Sequence, residues 1–296
     1  MKTLIRLVLI VLVLAVVGAA GFGVYAFLAI RGYLNEKRTP ADMLAFLEPH
    51  YVIRKPDGDG PFPAILLFNG CEGLYKDGKM RPVMPHYADI AVSEGVVAII
   101  VDSFTPRDIS TEVAVDDVCT GWVMRGGERA GDVVVSTGYA RSLPFVDPTR
   151  LALGGWSHGG WAIMDAEAMP LWDRVPYSLT EWPEDPFGGV VGMYLTYPYC
   201  SFPALAPSVG FADPVPTWSI HGSDDQTAKP VPCDEAFARV AAQGAPVSVE
   251  VVQGATHAFD RTDIVEYSPS KYDPVGAEIA DARFRRFLRE TLLAGN

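Results

Sequence analysis

No CxxC pair occurs in the 296 residues of this chain, whose four cysteines, Cys71, Cys119, Cys200 and Cys233, stand far apart. A structural zinc site draws on closely spaced ligands, so no metal is expected. No internal repeat and no low-complexity linker divides the sequence, so the part beyond the N-terminus reads as one large α/β domain, or at most two small ones. Basic residues are in the minority: 24 Lys and Arg stand against 36 Asp and Glu, a formal charge of −12. Residues 1–31 hold three basic residues and no acidic one, so setting those three aside takes −12 to −15 for the remainder. An acidic surface of this kind argues against nucleic acid and against anionic lipid headgroups as partners.

Charge is missing altogether from the 24 residues between Leu7 and Ile30, a stretch long enough to cross a bilayer as a helix. Lys2 and Arg6 precede it and Arg31, Lys37 and Arg38 follow, so the positive-inside rule leaves its orientation open. Val17-Gly18-Ala19-Ala20 would serve as a signal cleavage site, but Phe22 to Ile30 continue the apolar run beyond it, which favours an uncleaved anchor. The expected organisation is a membrane anchor or signal peptide over 1–31, touching the membrane through residues 7–30. A linker and first strand region over 32–59 follow, then the main domain over 60–296, with folded structure beginning near residue 40. The short head favours an exported domain, periplasmic or extracellular, held at the membrane; secretion after signal cleavage is the alternative. Four cysteines in an exported chain point to two disulfides, with three pairings open, against the alternative of four buried free thiols.

Near-continuous apolar runs recur over 64–68, 96–101, 150–154, 190–196, 216–221 and 247–252, as in strands buried on both faces. Helical patterns lie between them over 82–93, 128–142, 159–168, 233–242 and 275–293, the last with Ile279, Phe284, Phe287 and Leu288 on one face. Strand alternating with helix predicts a doubly wound, mainly parallel sheet. Two irregular segments, 104–127 and 170–188, break the alternation. Ligands bind beyond the carboxyl ends of parallel strands, so both segments are candidate pocket walls.

Residues 151–160 read Leu-Ala-Leu-Gly-Gly-Trp-Ser-His-Gly-Gly. A strand that must become a helix within two residues strains the residue at the junction. Glycines two before and two after Ser157 remove the side chains that would clash, leaving the hydroxyl exposed above a sheet with a helix N-terminus behind it. A serine in such an elbow needs a base to take its proton and a carboxylate to orient the base. Among five histidines, His257 lies in the turn after the last predicted strand, whereas His50, His86 and His221 have no such position and His158 adjoins the serine. The acid comes from Gly222-Ser223-Asp224-Asp225, with Asp225 favoured over Asp224. The order Ser157, Asp225, His257 is that of an α/β-hydrolase triad. Backbone amides of His158 and Cys71, the latter in the loop after strand 64–68, are the candidate oxyanion donors.

Six ordered motifs carry a resemblance: Asn69-Gly70-Cys71-Glu72-Gly73-Leu74, Val101-Asp102-Ser103-Phe104-x-Pro106-Arg107, Gly155-Trp156-Ser157-His158-Gly159-Gly160, Asp224-Asp225-x-Thr227, Pro232-Cys233 and Gly254-Ala255-x-His257-Ala258-Phe259. From about residue 60 to the C-terminal helix the chain resembles the dienelactone hydrolase family. The resemblance implies an α/β-hydrolase fold, a Ser-or-Cys/His/Asp triad, no metal and no organic cofactor. Serine at 157 matches the serine-bearing branch rather than the cysteine enzymes that name the family. Asn69 stands where a histidine commonly opens the oxyanion motif, and Gly70 where the name-giving enzymes carry a glutamate. In this fold Cys71 and Cys119 both fall on loops above the sheet, and Cys200 and Cys233 flank neighbouring strands, so the expected disulfides are Cys71–Cys119 and Cys200–Cys233.

The function these features favour is hydrolysis of a small-molecule carboxylic ester or lactone through Ser157. The alternatives are a peptidase or acyltransferase on the same scaffold, because a triad fixes acyl transfer and not the acceptor, or a non-catalytic, membrane-tethered binding protein.

Overall fold

Strands that are apolar at every residue have no face to give to water, so each must lie between two helical layers. In the computed structural model, which describes residues 2–30, 32, 34–264 and 268–294, five of the six predicted runs lie so, whereas the run over 247–252, which carries Ser248 and Glu250, is an edge strand with Val249 and Val251 exposed. Met1 and Arg31, at the ends of the expected anchor, and Gly295 and Asn296 fall outside the described residues. Seven strands form the sheet: β1 (Val52–Arg54), β2 (Phe62–Phe68), β3 (Val97–Val101), β4 (Val146–Trp156), β5 (Val190–Thr196), β6 (Thr217–Gly222) and β7 (Val247–Val252). Their order is β1-β3-β2-β4-β5-β6-β7; β1 runs antiparallel to β3 and all other neighbours are parallel.

Successive strand residues feed opposite cores. Ala64, Leu66 and Phe68 of β2 join Val97, Ile99 and Val101 of β3 on one face. There α2 (Pro40–Leu47), α4 (Gly126–Ser142), α5 (His158–Ala168) and α6 (Pro230–Ala242) cover them with Leu47, Val133, Ile163 and Phe237 among others. Ile65, Leu67, Ala98 and Ile100 point the other way, under α3 (Val83–Ser93) and α7 (Pro274–Phe287), which bury Tyr87, Ile90, Phe284 and Phe287. This is the doubly wound α/β-hydrolase arrangement, preceded by one long apolar helix, α1 (Lys2–Ile30). Its window Leu9–Ile30 has a mean hydropathy of 2.5 and none of it is buried within the chain; among the described residues it is the one helix long and apolar enough to cross a membrane.

Several boundaries differ from those the pattern predicts. The 32–59 region holds α2 as well as β1, and Met43 and Leu47 sit in the core. Its start was signalled: Thr39 Oγ1 accepts from the Asp42 amide at 3.1 Å, with Pro40 at the first helical position. Helix α4 begins two residues before the predicted 128, α6 three before the predicted 233, and α7 stops at Phe287, where a π-helical turn (Leu288–Leu292) takes over. The two irregular segments part company. Residues 104–127 stay above the carboxyl ends of the strands, whereas 170–188 fold down the α4–α5 layer, where Tyr177, Leu179 and Phe187 are buried and the Tyr177 amide donates to Gly127 O at 2.9 Å. The apolar side chains of that second segment find their burial there, and none of it reaches the cavity described below. Disulfides join Cys71 to Cys119 and Cys200 to Cys233, with Cα separations of 5.0 and 5.1 Å.

Helix α5 carries two buried carboxyls. Asp165 accepts from the Leu205 amide at 2.8 Å and Glu167 from the Asp213 amide at 3.1 Å, and burial pushes both groups up to about 8. In the unfolded chain they titrate at about 4, so the folded state holds the extra protons between the two values. Their contribution is therefore complete below about pH 4 and is lost as pH rises through about 8. Urea midpoints of the detergent-solubilised protein are expected to fall from about pH 6 to 9. The Asp165→Asn, Glu167→Gln double variant should flatten that fall, and an unaltered slope would show that other groups set it.

Candidate active site

At the end of β4 the chain enters α5 through Ser157, whose φ of 50° and ψ of −111° lie outside the regions ordinary residues favour. Neighbouring backbone enforces this. A Cβ on Gly159 would stand 2.1 Å from Phe68 O, and one on Gly155 would stand 2.6 Å from Gly160 N, so only glycine fits at either place. The Ser157 amide donates to Thr196 O on β5 at 2.9 Å, while the Ser157 carbonyl accepts from the amides of Trp161 and Tyr199 at 3.1 and 3.2 Å. The elbow is thus held from the strand beside it, from its own helix and from the loop after β5.

His257 reaches over from the turn after β7. Its Nε2 lies 2.9 Å from Ser157 Oγ and its Nδ1 lies 2.7 Å from Asp225 Oδ2. A carboxylate only accepts, so Nδ1 carries the proton toward Asp225, and Nε2 is free to accept from the serine hydroxyl. All three side chains are buried. The other carboxylate oxygen, Asp225 Oδ1, accepts from the amides of Thr227 and Ala228 at 2.9 and 2.7 Å, which fixes the carboxylate facing inward. Asp224, the alternative acid, is exposed, takes a 2.8 Å hydrogen bond from Ser223 Oγ and does not join this line.

The loop after β2 passes directly beside the elbow: a Cβ on Gly70 would lie 3.6 Å from Ser157 Cβ. Arg129, on α4 and wholly buried, holds that loop. Its Nη1 donates to Asn69 O at 2.6 Å, its Nη2 to Asn69 Oδ1 at 2.9 Å and its Nε to Ser103 Oγ at 2.9 Å. Burial lowers this guanidinium to about 10 and it stays charged at neutral pH. The His158 ring completes the cluster, with Nε2 2.7 Å from Met124 O and Nδ1 3.4 Å from Arg129 Nη1. Burial, seconded by the charge of Arg129, holds His158 down at about 3, so the ring is neutral, donates through Nε2 and accepts at Nδ1. The expected oxyanion donors, the amides of Cys71 and His158, therefore belong to two segments gripped by one side chain. Cys71 is further tied through its disulfide to Cys119 in the 104–127 segment.

A second carboxyl supports His257 from below. Asp260, three residues on, accepts from Tyr197 Oη at 2.6 Å, Tyr87 Oη at 2.8 Å and Trp156 Nε1 at 3.3 Å. The Tyr197 ring meets the His257 ring edge-on with centroids 4.8 Å apart. Burial raises the Asp260 carboxyl even against these three donors. Sequence patterns single out neither Arg129 nor Asp260; each stands among other charged residues, Glu128 and Asp132 around the first and Arg261 and Asp263 after the second, and only the fold turns it inward.

The site opens into a cavity of about 900 Å³. One side carries a charge-neutral quartet: Arg81 meets Glu72 at 3.2 Å and also Asp263, and Arg261 meets Glu72 and Asp263, each at 3.0 Å. Against the upward push of burial, Arg261 and Arg81 hold the Glu72 and Asp263 carboxyls below their ordinary values. Another side is apolar and includes Val115, Val118 and Trp122 of the 104–127 segment. Among the described residues, no group of three or more His, Cys, Asp or Glu is arranged to hold a metal ion.

No protein-family model matches this sequence. No curated protein matches it either. Solved structures do. Esterase 2 of Thermogutta terrifontis, phosphoramylated by tabun, is 16% identical with a TM-score of 0.58, over 81% of this chain and 88% of that one. The carboxylesterase Cest-2923 of Lactobacillus plantarum is 14% identical with a TM-score of 0.57, over 83% and 94%. A putative dienelactone hydrolase of Klebsiella pneumoniae is 15% identical with a TM-score of 0.52, over 83% and 99%. At these identities the likeness is one of architecture, and with the sheet order and elbow above it makes this an α/β-hydrolase fold.

Proposed function

We propose that this protein is a serine hydrolase of the dienelactone hydrolase kind that cleaves a carboxylic ester or lactone, with its domain held on the exported side of a membrane by α1. The observation that carries the reading is the unbroken line from Ser157 Oγ through His257 to Asp225, at 2.9 and 2.7 Å, on a positive-φ elbow. Ser157 Oγ attacks the carbonyl carbon as His257 Nε2 takes its proton, and Asp225 stabilises the imidazolium that forms. The oxyanion is received by the amides of Cys71 and His158, donors of the kind whose single loss costs about 10²–10³ in rate. The proton on Nε2 then passes to the departing alcohol. Water, activated by the same nitrogen, releases the acid from the acyl-enzyme and restores the serine. The solved esterases with this architecture and the apolar cavity support an ester as substrate.

Ser157→Ala is expected to abolish turnover of short p-nitrophenyl esters and labelling by a fluorophosphonate while leaving the circular dichroism unchanged; activity within about tenfold of wild type would sink the assignment. Asp225→Asn should lower kcat by about 10⁴ by mis-setting the imidazole tautomer, whereas Asp224→Asn should behave like wild type in the same assay.

Arg129→Met removes the grip on Asn69 and Ser103. Steady-state kinetics should show kcat down by about 10² with KM little moved, because the donors serve the transition state more than the ground state. A rise in KM alone would count against this positioning role.

Helix α1 is long enough to stay in the bilayer. The full-length protein should remain in the membrane pellet after alkaline carbonate washing. Recovery in the supernatant with a mature N-terminus near Gly21 would establish a cleaved signal instead.

A further inference from the structure

One wall of the cavity over Ser157 comes from outside the hydrolase body. Phe22, Tyr25, Ala26, Ala29 and Ile30 of α1 line it, and the spacing i, i+3, i+4, i+7, i+8 is that of one helix face. Phe22 to Ile30 covers about 12 Å of axis at the ordinary helical rise. All five residues lie within the apolar window Leu9–Ile30. The whole window is about 33 Å long at that rise, matching a hydrocarbon core of about 30 Å. When α1 spans a membrane, its last two turns are still at the edge of the hydrocarbon where they border the cavity.

The exit of α1 is seated on the domain by contacts with separate segments. Arg125 Nη1 donates to Ala29 O at 3.1 Å, and Asn35 Nδ2 donates to Glu128 Oε1 at 2.9 Å. A Cβ on Gly32 would stand 2.2 Å from the Tyr177 ring, so the chain passes tight against that side chain. Further on, the Arg38 amide donates to Ser178 O and the Thr180 amide to Arg38 O, both at 2.9 Å.

Across the cavity mouth stand large apolar side chains that the fold leaves bare: Phe202 is 78% exposed, Trp122 60% and Val115 43%. Apolar residues scattered singly need no explanation, but a set that rims a cavity beside a transmembrane-length helix calls for an apolar partner, and tryptophan favours the membrane boundary. The acidic charge of the domain gives no attraction to anionic headgroups, so this contact works by apolar insertion. Another part of the cavity wall is polar, at the Glu72–Arg81–Arg261–Asp263 quartet. The site is thus amphiphilic, with its apolar end at the membrane.

Resting on the hydrolase reading above, we propose that the cavity opens at the bilayer surface and takes an ester with a long hydrocarbon chain directly from the membrane. The tail lies between α1 and the rim of Trp122 and Phe202, the carbonyl reaches Ser157, and the polar part faces the quartet. Each methylene drawn from water into such a groove favours binding by up to about fourfold, so selectivity for chain length follows.

The test uses the full-length protein in phosphatidylcholine vesicles, with p-nitrophenyl palmitate in the bilayer and p-nitrophenyl butyrate in solution. Wild type should favour palmitate in kcat/KM by about tenfold or more, and Phe202→Asp and Trp122→Asp should each lower the palmitate-to-butyrate ratio by a similar factor. Independently of activity, brominated phosphatidylcholine should quench a tryptophan fluorescence component that Trp122→Phe removes. Ser157-dependent turnover that prefers butyrate, with a ratio the rim substitutions do not move, overturns the membrane entrance and leaves the hydrolase reading standing. Absence of the Trp122 quenching overturns it as well. Failure to turn over either ester, with no fluorophosphonate labelling of Ser157, brings down both.

Discussion

A single buried guanidinium sets the geometry around Ser157. Arg129 stands at 0% exposure in the α4 layer and binds the loop after β2, the loop after β3 and the first residue of α5. A charge in that position is tolerated only where its donors are used and opposite charge lies near; here Asn69, Ser103 and His158 take the donors, with Asp132 and Asp102 close enough to favour the charged form. Three segments distant in sequence are thereby referred to one rigid, planar group. Lysine carries the same charge but lacks the planar fork that reaches both the carbonyl and the side chain of Asn69.

The opposite side of the site is organised by a carboxyl instead. Asp260 gathers Tyr87 from α3, Trp156 from the end of β4 and Tyr197 from the end of β5. The turn carrying His257 is therefore anchored to the strand that carries Ser157, through a network independent of the His257–Ser157 hydrogen bond. Elbow and imidazole keep their relation because both are tied to the same underlying aromatic layer.

The sequence made the elbow legible because its steric demand is local: Gly155 and Gly159 are needed by backbone only a few residues away or on the adjoining strand. His257 and Asp225 follow from chemical necessity and chain order. The choice between Asp224 and Asp225 is harder to read, since adjacent residues differ only in which way they turn; in the fold the amides of Thr227 and Ala228 cap Asp225 and His257 meets it, while Asp224 faces solvent. Arg129 and Asp260 were illegible for the converse reason: nothing local distinguishes a polar residue that will be buried from one that will be solvated. Helix α2 and strand β1 are short, and segment 170–188 reads as an irregular pocket wall although Tyr177, Leu179 and Phe187 belong to the core. What the pattern misses throughout is burial imposed by distant parts of the chain.

The part of α1 that borders the cavity begins at Phe22, after the Val17–Ala20 stretch that would serve as a signal cleavage site. A chain cut there would keep the wall, held by the Ala29 carbonyl on Arg125 and the Gly32 backbone against Tyr177. Anchored and released forms would thus share one binding chamber. A cut at that point would leave the chamber unrebuilt, and the shortened chain would carry at its new terminus an apolar stub beside the mouth of its own site.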